Sequence, residues 1–218
     1  MTAKFARFTS SLALSLGLSA LTLALAPAVM AQTAAPADGA AAAPADPGVS
    51  MGIPEGLPDQ TQAAVGQLYL ANTFDSWEQR CTKSADGADL CQLYQLVKDE
   101  SGAPISEVVL FALPDGGQAA MGANILAPLE TLLTANIRIA VDGDKGKLYP
   151  FYVCTSNGCL AKVGFTAAEV DAMKKGKQLT MTVVPAASPD KTVVINVPLK
   201  GFSAGAQAVK DALNKIKK

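Results

Sequence analysis

The residues with the most definite chemistry are four cysteines, Cys81, Cys91, Cys154 and Cys159. An even number of cysteines fits complete pairing into disulfides if the chain reaches an oxidising compartment. The Cys154-x4-Cys159 spacing differs from the C-x-x-C spacing of thiol–disulfide oxidoreductases, and no βαβ pattern surrounds it. The sequence therefore favours structural disulfides over a redox-active pair.

Three connectivities are open to four cysteines. We expect the two local bridges, Cys81–Cys91 and Cys154–Cys159, because each closes a hairpin without long-range geometry. A two-residue turn at Asn157-Gly158 would place Cys154 opposite Ala161. We therefore expect a four-residue loop between Cys154 and Cys159, which lets their sulfurs meet.

Histidine is absent from the 218-residue chain. Its absence removes Ser/His/Asp and Cys/His nucleophilic sites, histidine zinc ligands and histidine acid–base catalysis. Asp142-Gly143-Asp144-Lys145-Gly146 resembles part of a calcium loop, but the other oxygen ligands and the closing Glu of an EF-hand do not follow it. We interpret this segment as a hairpin turn, and we expect a non-enzymatic protein without cofactor or metal.

Two aromatic residues are candidates for a binding surface. In a strand, alternate side chains point to opposite faces, which places Tyr149 and Phe151 on the face opposite Cys154. If that face is exposed, they form a ligand platform; otherwise they belong to the core. Trp77, by contrast, is expected to pack in the core beside its neighbouring disulfide.

The N-terminal residues have the pattern of a secretory signal. Lys4 and Arg7 precede an uncharged Leu/Ala run from Ser10 to about Ala26, as a signal peptide requires. We predict a signal peptide over residues 1–31 with cleavage between Ala31 and Gln32. Since Gln32 is not Cys, no lipid attachment is expected; the alternative is an uncleaved anchor.

Without that signal, 16 basic and 19 acidic residues give a net charge of −3. This charge, and the lack of a basic stripe interleaved with aromatics, argue against a nucleic-acid partner. We expect no transmembrane segment in the mature protein. Its predicted location is the periplasm, the secreted fraction or the cell surface.

Composition divides the mature chain into two parts. Residues 32–66 are rich in Ala and Pro and form an expected flexible linker, because such a segment buries too little apolar surface to fold. Residues 67–218 are expected to form one domain. It contains about eight short runs typical of antiparallel strands, separated by Gly, Asp, Asn and Pro. These runs are Trp77–Thr82, Leu90–Lys98, Ile105–Leu113, Ile137–Val141, Leu148–Cys154, Cys159–Phe165, Gln178–Val184 and Thr192–Leu199.

Two helices complete the predicted domain. Thr166-Ala167-Ala168-Glu169 is a capping-box sequence, which predicts a short helix over about Ala167–Lys175. A second helix is expected from about Ser203, with an apolar side and several lysines. The fold predicted is mainly β: an antiparallel sandwich or barrel-like domain with one inserted helix, a C-terminal helix and two disulfides.

The order of several motifs resembles the invasion-associated locus B family of exported bacterial proteins. These motifs are Trp77 before Cys81, Cys91-Gln92-Leu93, Pro128-Leu129 ahead of Ile137–Asp142, Pro150-Phe151, Cys154, Gly158-Cys159, Gly176 and Leu199-x-Gly201-Phe202. The resemblance covers roughly Phe74 to Ala212. One departure is Glu130, at a position where the family often has Gly.

The resemblance implies an all-β domain in the periplasm or at the surface and, for some members, an association with host-cell invasion. It implies no known enzymatic activity. The leading expectation is an interaction protein that binds an unknown protein or envelope component, in host-cell contact or envelope integrity. The alternative is a periplasmic small-molecule-binding protein with a pocket between the sheet and the terminal helix. Weak membrane-surface contact by that basic helix is a further expectation.

Overall fold

A computed structural model describes residues 56–216. The expected signal peptide, the Ala31–Gln32 cleavage point and most of the 32–66 linker lie outside the described residues. The described strands are β1 (Leu68–Phe74), β2 (Trp77–Thr82), β3 (Leu90–Lys98), β4 (Pro104–Ala112), β5 (Met121–Ala127), β6 (Ile137–Val141), β7 (Lys147–Tyr149), β8 (Phe151–Thr155), β9 (Gly158–Phe165), β10 (Gln178–Val183) and β11 (Val193–Pro198). The helices are α1 (Ala167–Lys175) and α2 (Phe202–Ile216), and Leu133–Ala135 form a 3₁₀ turn.

The strands form two antiparallel sheets. One has seven strands in the order β1-β2-β3-β4-β5-β9-β8, and the other has four in the order β11-β10-β6-β7. Apolar side chains from both sheets and both helices meet in one core cluster. The mainly β fold with an inserted and a C-terminal helix is therefore confirmed.

The core is densely filled by large side chains. Trp77, Leu110, Met181 and Phe202 have no solvent exposure, and Phe165 has 2%. Burying one such side chain stabilises the folded state by about 1.5–3 kcal/mol. The core position expected for Trp77 is confirmed.

A junction joins the C-terminal part of the domain to the β1–β2 hairpin. The Trp77 Nε1 donates a hydrogen bond of 3.0 Å to the carbonyl of Pro198, and its ring meets that of Phe202 edge-on at 5.7 Å. Gly201 has φ +88°, and a Cβ there would lie 1.9 Å from the Phe74 carbonyl oxygen. Only glycine fits this close approach.

Helix α1 begins and ends as predicted. The Thr166 side chain accepts a hydrogen bond from the Glu169 N–H, while the Glu169 carboxylate accepts one from the Thr166 N–H. This reciprocal capping box satisfies amides that the first turn leaves free. The helix ends at Gly176, where a Cβ would lie 2.6 Å from Val141.

The number of strands differs from the prediction: residues 56–216 contain eleven rather than about eight. Strands β1 and β5 were not expected, and the run Leu148–Cys154 is two strands rather than one. It divides at Pro150, so that β7 belongs to the four-stranded sheet and β8 to the seven-stranded sheet. Proline has no N–H to donate to a ladder, so strand pairing stops there.

The four-residue loop expected between Cys154 and Cys159 is wrong. Cys154 lies directly opposite Cys159 and Thr155 opposite Gly158, which leaves Ser156-Asn157 as a two-residue turn. Gly158 belongs to strand β9 rather than to the turn. A Cβ there would come within 2.5 Å of the Ala127 carbonyl oxygen on β5.

Candidate functional site

Two disulfides staple the seven-stranded sheet. We call Cys81–Cys91, between β2 and β3, the inner disulfide, and Cys154–Cys159, between β8 and β9, the outer disulfide. Each joins residues that lie directly opposite each other on neighbouring strands, which are the local pairings expected. Cys81 is 1% exposed and Cys159 2%, Cys91 is half-buried, and Cys154 is exposed. All four sulfurs are paired, so no free thiol is available for chemistry.

Tyr149 and Phe151 do not form the exposed platform that alternation suggested. They lie on different sheets, β7 and β8, because the chain changes sheets between them. Both are half-buried and pack against the core, and the Tyr149 ring meets Phe165 edge-on at 6.0 Å. The aromatic side chain exposed here is that of Tyr152, at 67%. A role for Tyr149 and Phe151 in binding stays a prediction.

The carboxylate of Glu169 holds α1 against β7. It accepts hydrogen bonds from the Tyr149 hydroxyl at 2.8 Å and from the Thr166 N–H and hydroxyl at 2.9 and 2.7 Å. The Lys147 ammonium lies at 2.9 Å. Burial raises the pKa of this carboxyl, but the hydrogen bonds from Thr166, Lys147 and Tyr149 outweigh burial and lower the pKa to about 2.

The same contact affects Tyr149. Burial, followed by the hydrogen bond and the negative charge of Glu169, raises the pKa of the Tyr149 hydroxyl far above its ordinary value. Its proton therefore stays on the phenol. The capping box revealed the tie between Thr166 and Glu169 in the sequence, but nothing in the spacing linked Glu169 to strand β7.

A second polar cluster lies at Asp89. Its carboxylate accepts hydrogen bonds from the Tyr69 hydroxyl at 2.6 Å and the Ser84 N–H at 2.7 Å. These bonds lower the pKa of Asp89. Burial, with the hydrogen bond to Asp89, raises the pKa of Tyr69 to about 12. Both polar clusters consist of groups already bonded to one another.

The Asp142–Gly146 segment is a hairpin turn between β6 and β7, as interpreted. The Asp142 carboxylate accepts hydrogen bonds from the N–H groups of Lys177 and Gln178, and Asp144 accepts one from Gly146. Within residues 56–216, no group of three or more Cys, Asp or Glu side chains has the arrangement of a metal site.

The outer face of the seven-stranded sheet carries a continuous row of side chains across five strands. We call it the outer row. Strand register places its members opposite one another in the order Leu96, Glu107, Leu126, Leu160 and Val153. Leu96 is 37% exposed and Val153 41%; the other three are half-buried.

Aromatic and basic groups flank the outer row. The adjacent row contains Tyr94, Val109, Asn124 and Lys162 in register. The Lys162 ammonium lies 3.9 Å from the Tyr152 ring centre, and the Arg80 guanidinium lies 3.3 Å from that of Tyr94.

Beside the first three members of the outer row is a cleft of about 470 Å³. It is lined by Leu96, Glu107, Leu126 and Leu129 with two prolines, and Leu129 is 51% exposed. The outer row and this cleft therefore form one largely apolar surface. Exposed apolar patches of this kind are characteristic of interaction sites.

Helix α2 caps the inner side of the same sheet. It buries Phe202, Gly205, Ala206 and Val209, and Gly205 packs so closely on β3 that a Cβ would lie 2.5 Å from Leu93. The apolar side of the helix is thus used to cover the sheet, and contact of its basic side with a membrane surface stays a prediction. Within the described part of the chain, no helix is both long and apolar enough to cross a bilayer.

Between α2 and strands β1–β3 lies a polar cleft of about 310 Å³. Its lining includes Tyr69 and Gln79 from the sheet, Asp89 from the loop before β3, and Asp211 and Lys215 from α2. This is the place where the sequence led us to expect a small-molecule pocket.

Taken together, the fold and its surfaces define a small β-domain of two antiparallel sheets, closed by two helices and stapled by two disulfides. The outer face of the larger sheet carries the outer row and its adjoining cleft.

The chain belongs to the invasion associated locus B (IalB) protein family, whose family model matches residues 77–210. An invasion protein B homolog of Brucella abortus (strain 2308) is 30% identical over 145 residues, which cover 66% of this chain and 81% of the relative. Invasion protein B of Bartonella bacilliformis is 28% identical over 141 residues, covering 63% and 73% respectively. The resemblance inferred from the sequence motifs is confirmed.

The fold has a solved counterpart in the crystal structure of invasion associated protein B from Bartonella henselae. The TM-score is 0.58 at 22% sequence identity, over 67% of this chain and 99% of that chain. At this level of identity the likeness concerns the fold.

Proposed function

We propose that this chain is an exported, non-enzymatic interaction protein that works in the periplasm or at the cell surface and binds a protein or envelope component. The observation that carries the proposal is the outer face of the seven-stranded sheet, where a row of mainly apolar side chains crosses five strands. Covering exposed leucine and valine side chains with a partner removes apolar surface from water, which favours binding.

Export is supported by the sequence and by the disulfides. The signal pattern of residues 1–31 directs secretion, and disulfides persist outside the reducing cytoplasm. Fractionation combined with intact-mass measurement tests this part. A mature protein beginning at Gln32 in the periplasmic or secreted fraction is expected; a cytoplasmic protein with free thiols would contradict it.

A non-enzymatic role is supported by the two polar clusters. Glu169, Tyr149, Asp89 and Tyr69 have displaced pKa values, a property often found in active sites. Here each group is bonded to its neighbours within a strand–helix or strand–turn contact. That arrangement is typical of structural polar pairs.

The interaction is tested by chemical crosslinking in envelope fractions with matched variants. Leu126→Ser places a hydroxyl in the outer row, whereas Val194→Ser makes the same kind of change on the four-stranded sheet, where Val194 is 54% exposed. We expect Leu126→Ser to abolish one specific crosslink and Val194→Ser to preserve it. A crosslinking pattern unaffected by both changes would contradict the proposal.

Host-cell contact is one setting for such an interaction, and it is supported by the names of the Brucella and Bartonella relatives as invasion proteins. Deletion of the gene followed by a host-cell entry assay, with wild-type and Leu126→Ser chains for complementation, tests it. Equal entry by all strains would place the function in the bacterial envelope instead.

The second candidate function, small-molecule binding, is favoured by the polar cleft of about 310 Å³ between α2 and β1–β3. This volume lies at the lower end of the range of about 300–1,000 Å³ for small-molecule sites. A thermal-shift screen with polar metabolites tests it. Stabilisation by a ligand that is lost in Lys215→Ala would favour this function.

A further inference from the structure

The outer row contains one charged group, the carboxylate of Glu107. It lies between Leu96 on β3 and Leu126 on β5, and its side chain is half-buried. Among the residues that the structure describes, none makes an ion pair or side-chain hydrogen bond with Glu107. Its charge is therefore unpaired, between two leucines of an otherwise apolar row.

Two cations on this face already have partners. The Arg80 guanidinium pairs with Glu78 at 2.7 Å and stacks on Tyr94, and the Lys162 ammonium lies over Tyr152. Neither of these cations forms an ion pair with Glu107.

This arrangement constrains what can cover the outer row. A partner that packs on Leu96 and Leu126 must also remove water from Glu107, because it lies between them. Burying an unpaired carboxylate is strongly unfavourable, whereas burying it against a cation recovers much of the loss. An anionic lipid surface would instead meet like charge. The chemistry of the face thus selects a partner with a basic group placed between apolar ones.

The spacing of the row favours a helix as the partner element. Neighbouring strands lie about 4.8 Å apart, which is the approximate distance between Leu96, Glu107 and Leu126 along the row. Side chains three or four residues apart on one face of a helix are separated by about 5–6 Å. An apolar–basic–apolar series at such intervals can therefore meet the three side chains in order.

We propose that the outer row binds an amphipathic helix of a protein partner, with an arginine or lysine in the middle of its apolar stripe paired with Glu107. Arginine suits the site best, because its planar guanidinium can form two parallel hydrogen bonds to one carboxylate. This inference rests on the proposed function and names the chemistry of the partner.

The test uses a display library of amphipathic helical peptides in which the central position of the apolar stripe is randomised. The library is selected on the exported protein purified with its disulfides intact. We expect Arg and Lys to dominate the central position with the wild-type protein, and Asp and Glu to replace them with Glu107→Arg. An enriched Arg peptide is expected to lose about tenfold in affinity on Glu107→Gln.

Two matched variants serve as controls. Asp190→Asn removes the same charge from the exposed β10–β11 turn and should leave the affinity unchanged. Leu126→Ser should abolish binding of every enriched peptide, and thermal unfolding verifies that each variant is folded.

The outcomes separate this inference from the proposed function. If Leu126→Ser abolishes binding but the central position shows no preference, or Glu107→Gln binds equally well, the basic helix is wrong and the interaction face stands. If no peptide is enriched, the inference is likewise wrong, while the envelope crosslink still tests the face. If both peptides and crosslink are insensitive to Leu126→Ser, both proposals fail.

Discussion

The Glu169 contact makes the stability of the domain depend on acid pH. The hydrogen bonds to its carboxylate hold its pKa at about 2, against an ordinary value of 4.5. Each factor of ten in a proton equilibrium corresponds to about 1.4 kcal/mol, so the ionised form is favoured in the folded state by about 3 kcal/mol. The Glu169 side chain is 23% exposed, so solvent screens its charge only partly.

The lowered pKa of Glu169 determines the direction in which stability changes with pH. The folded state binds the proton more weakly than the unfolded chain does, so the contribution is fully present above pH 4.5. It is lost as the pH falls from about 4.5 towards 2. Glu169→Gln removes the ionised form and, since Gln can replace Glu in a capping box, retains much of the helix cap.

The assay is urea unfolding at a series of pH values, followed by fluorescence of Trp77, the single tryptophan. At pH 7, Glu169→Gln should lower the free energy of unfolding by about 3 kcal/mol, and the two curves should converge near pH 2. For Glu130→Gln, which changes an exposed carboxylate, the curve of the free energy of unfolding against pH should run parallel to that of the wild type. Curves for wild type and Glu169→Gln that stay parallel from pH 7 to pH 3 would refute the reasoning.

Three further predictions concern the core, a junction and the disulfides. Gln95 Oε1 is buried without a hydrogen-bond partner, so Gln95→Met should raise the free energy of unfolding by about 1 kcal/mol or more in urea titrations; a decrease would mean that the amide is satisfied. Gly201→Ala should cost more than about 3 kcal/mol, because its Cβ would meet a carbonyl at 1.9 Å. Gly116→Ala, with a similar φ of +93° in open space, should cost only about 1 kcal/mol; equal costs would refute the steric argument. The outer disulfide should be reduced before the inner one, since one of its sulfurs belongs to an exposed residue. Alkylation and mass spectrometry during titration with dithiothreitol measure the order, and earlier reduction of the inner disulfide would contradict the prediction.

Elements with a local signal could be predicted from the sequence. The bounds of β2 and β3 agree with the alternating runs Trp77–Thr82 and Leu90–Lys98, and α1 follows its capping box. In each case the pattern and the end signals lie within about ten residues. The local pairing of the cysteines belongs to the same category, because each pair spans one hairpin.

The strands that were missed have irregular patterns with physical causes. In β5, Gly122 breaks the alternation, and the Phe111 ring from β4 occupies the space above it. In β1, a register shift between Leu70 and Asn72 interrupts the period of two. The ring and the shift involve neighbouring strands, which the segment's own sequence does not reveal.

The outer row was beyond sequence reasoning for a related reason. Its members lie between positions 96 and 160 and become neighbours only through the registers of four strand pairings. Alternation tells which side chains share a face of one strand, but not which face remains uncovered. The change of sheet at Pro150 had the same effect on Tyr149 and Phe151, which alternation alone placed on one face.

The junction at Trp77 has a consequence for the order of events during biogenesis. The hydrogen bond from Trp77 to Pro198 joins positions 121 residues apart in sequence, and Phe202 and Gly201 complete the same contact. An N-terminal hairpin that is synthesised first must wait for these late residues before its tryptophan is enclosed. Such long-range closure is slow, so the core around Trp77 closes only once residues 198–202 are available.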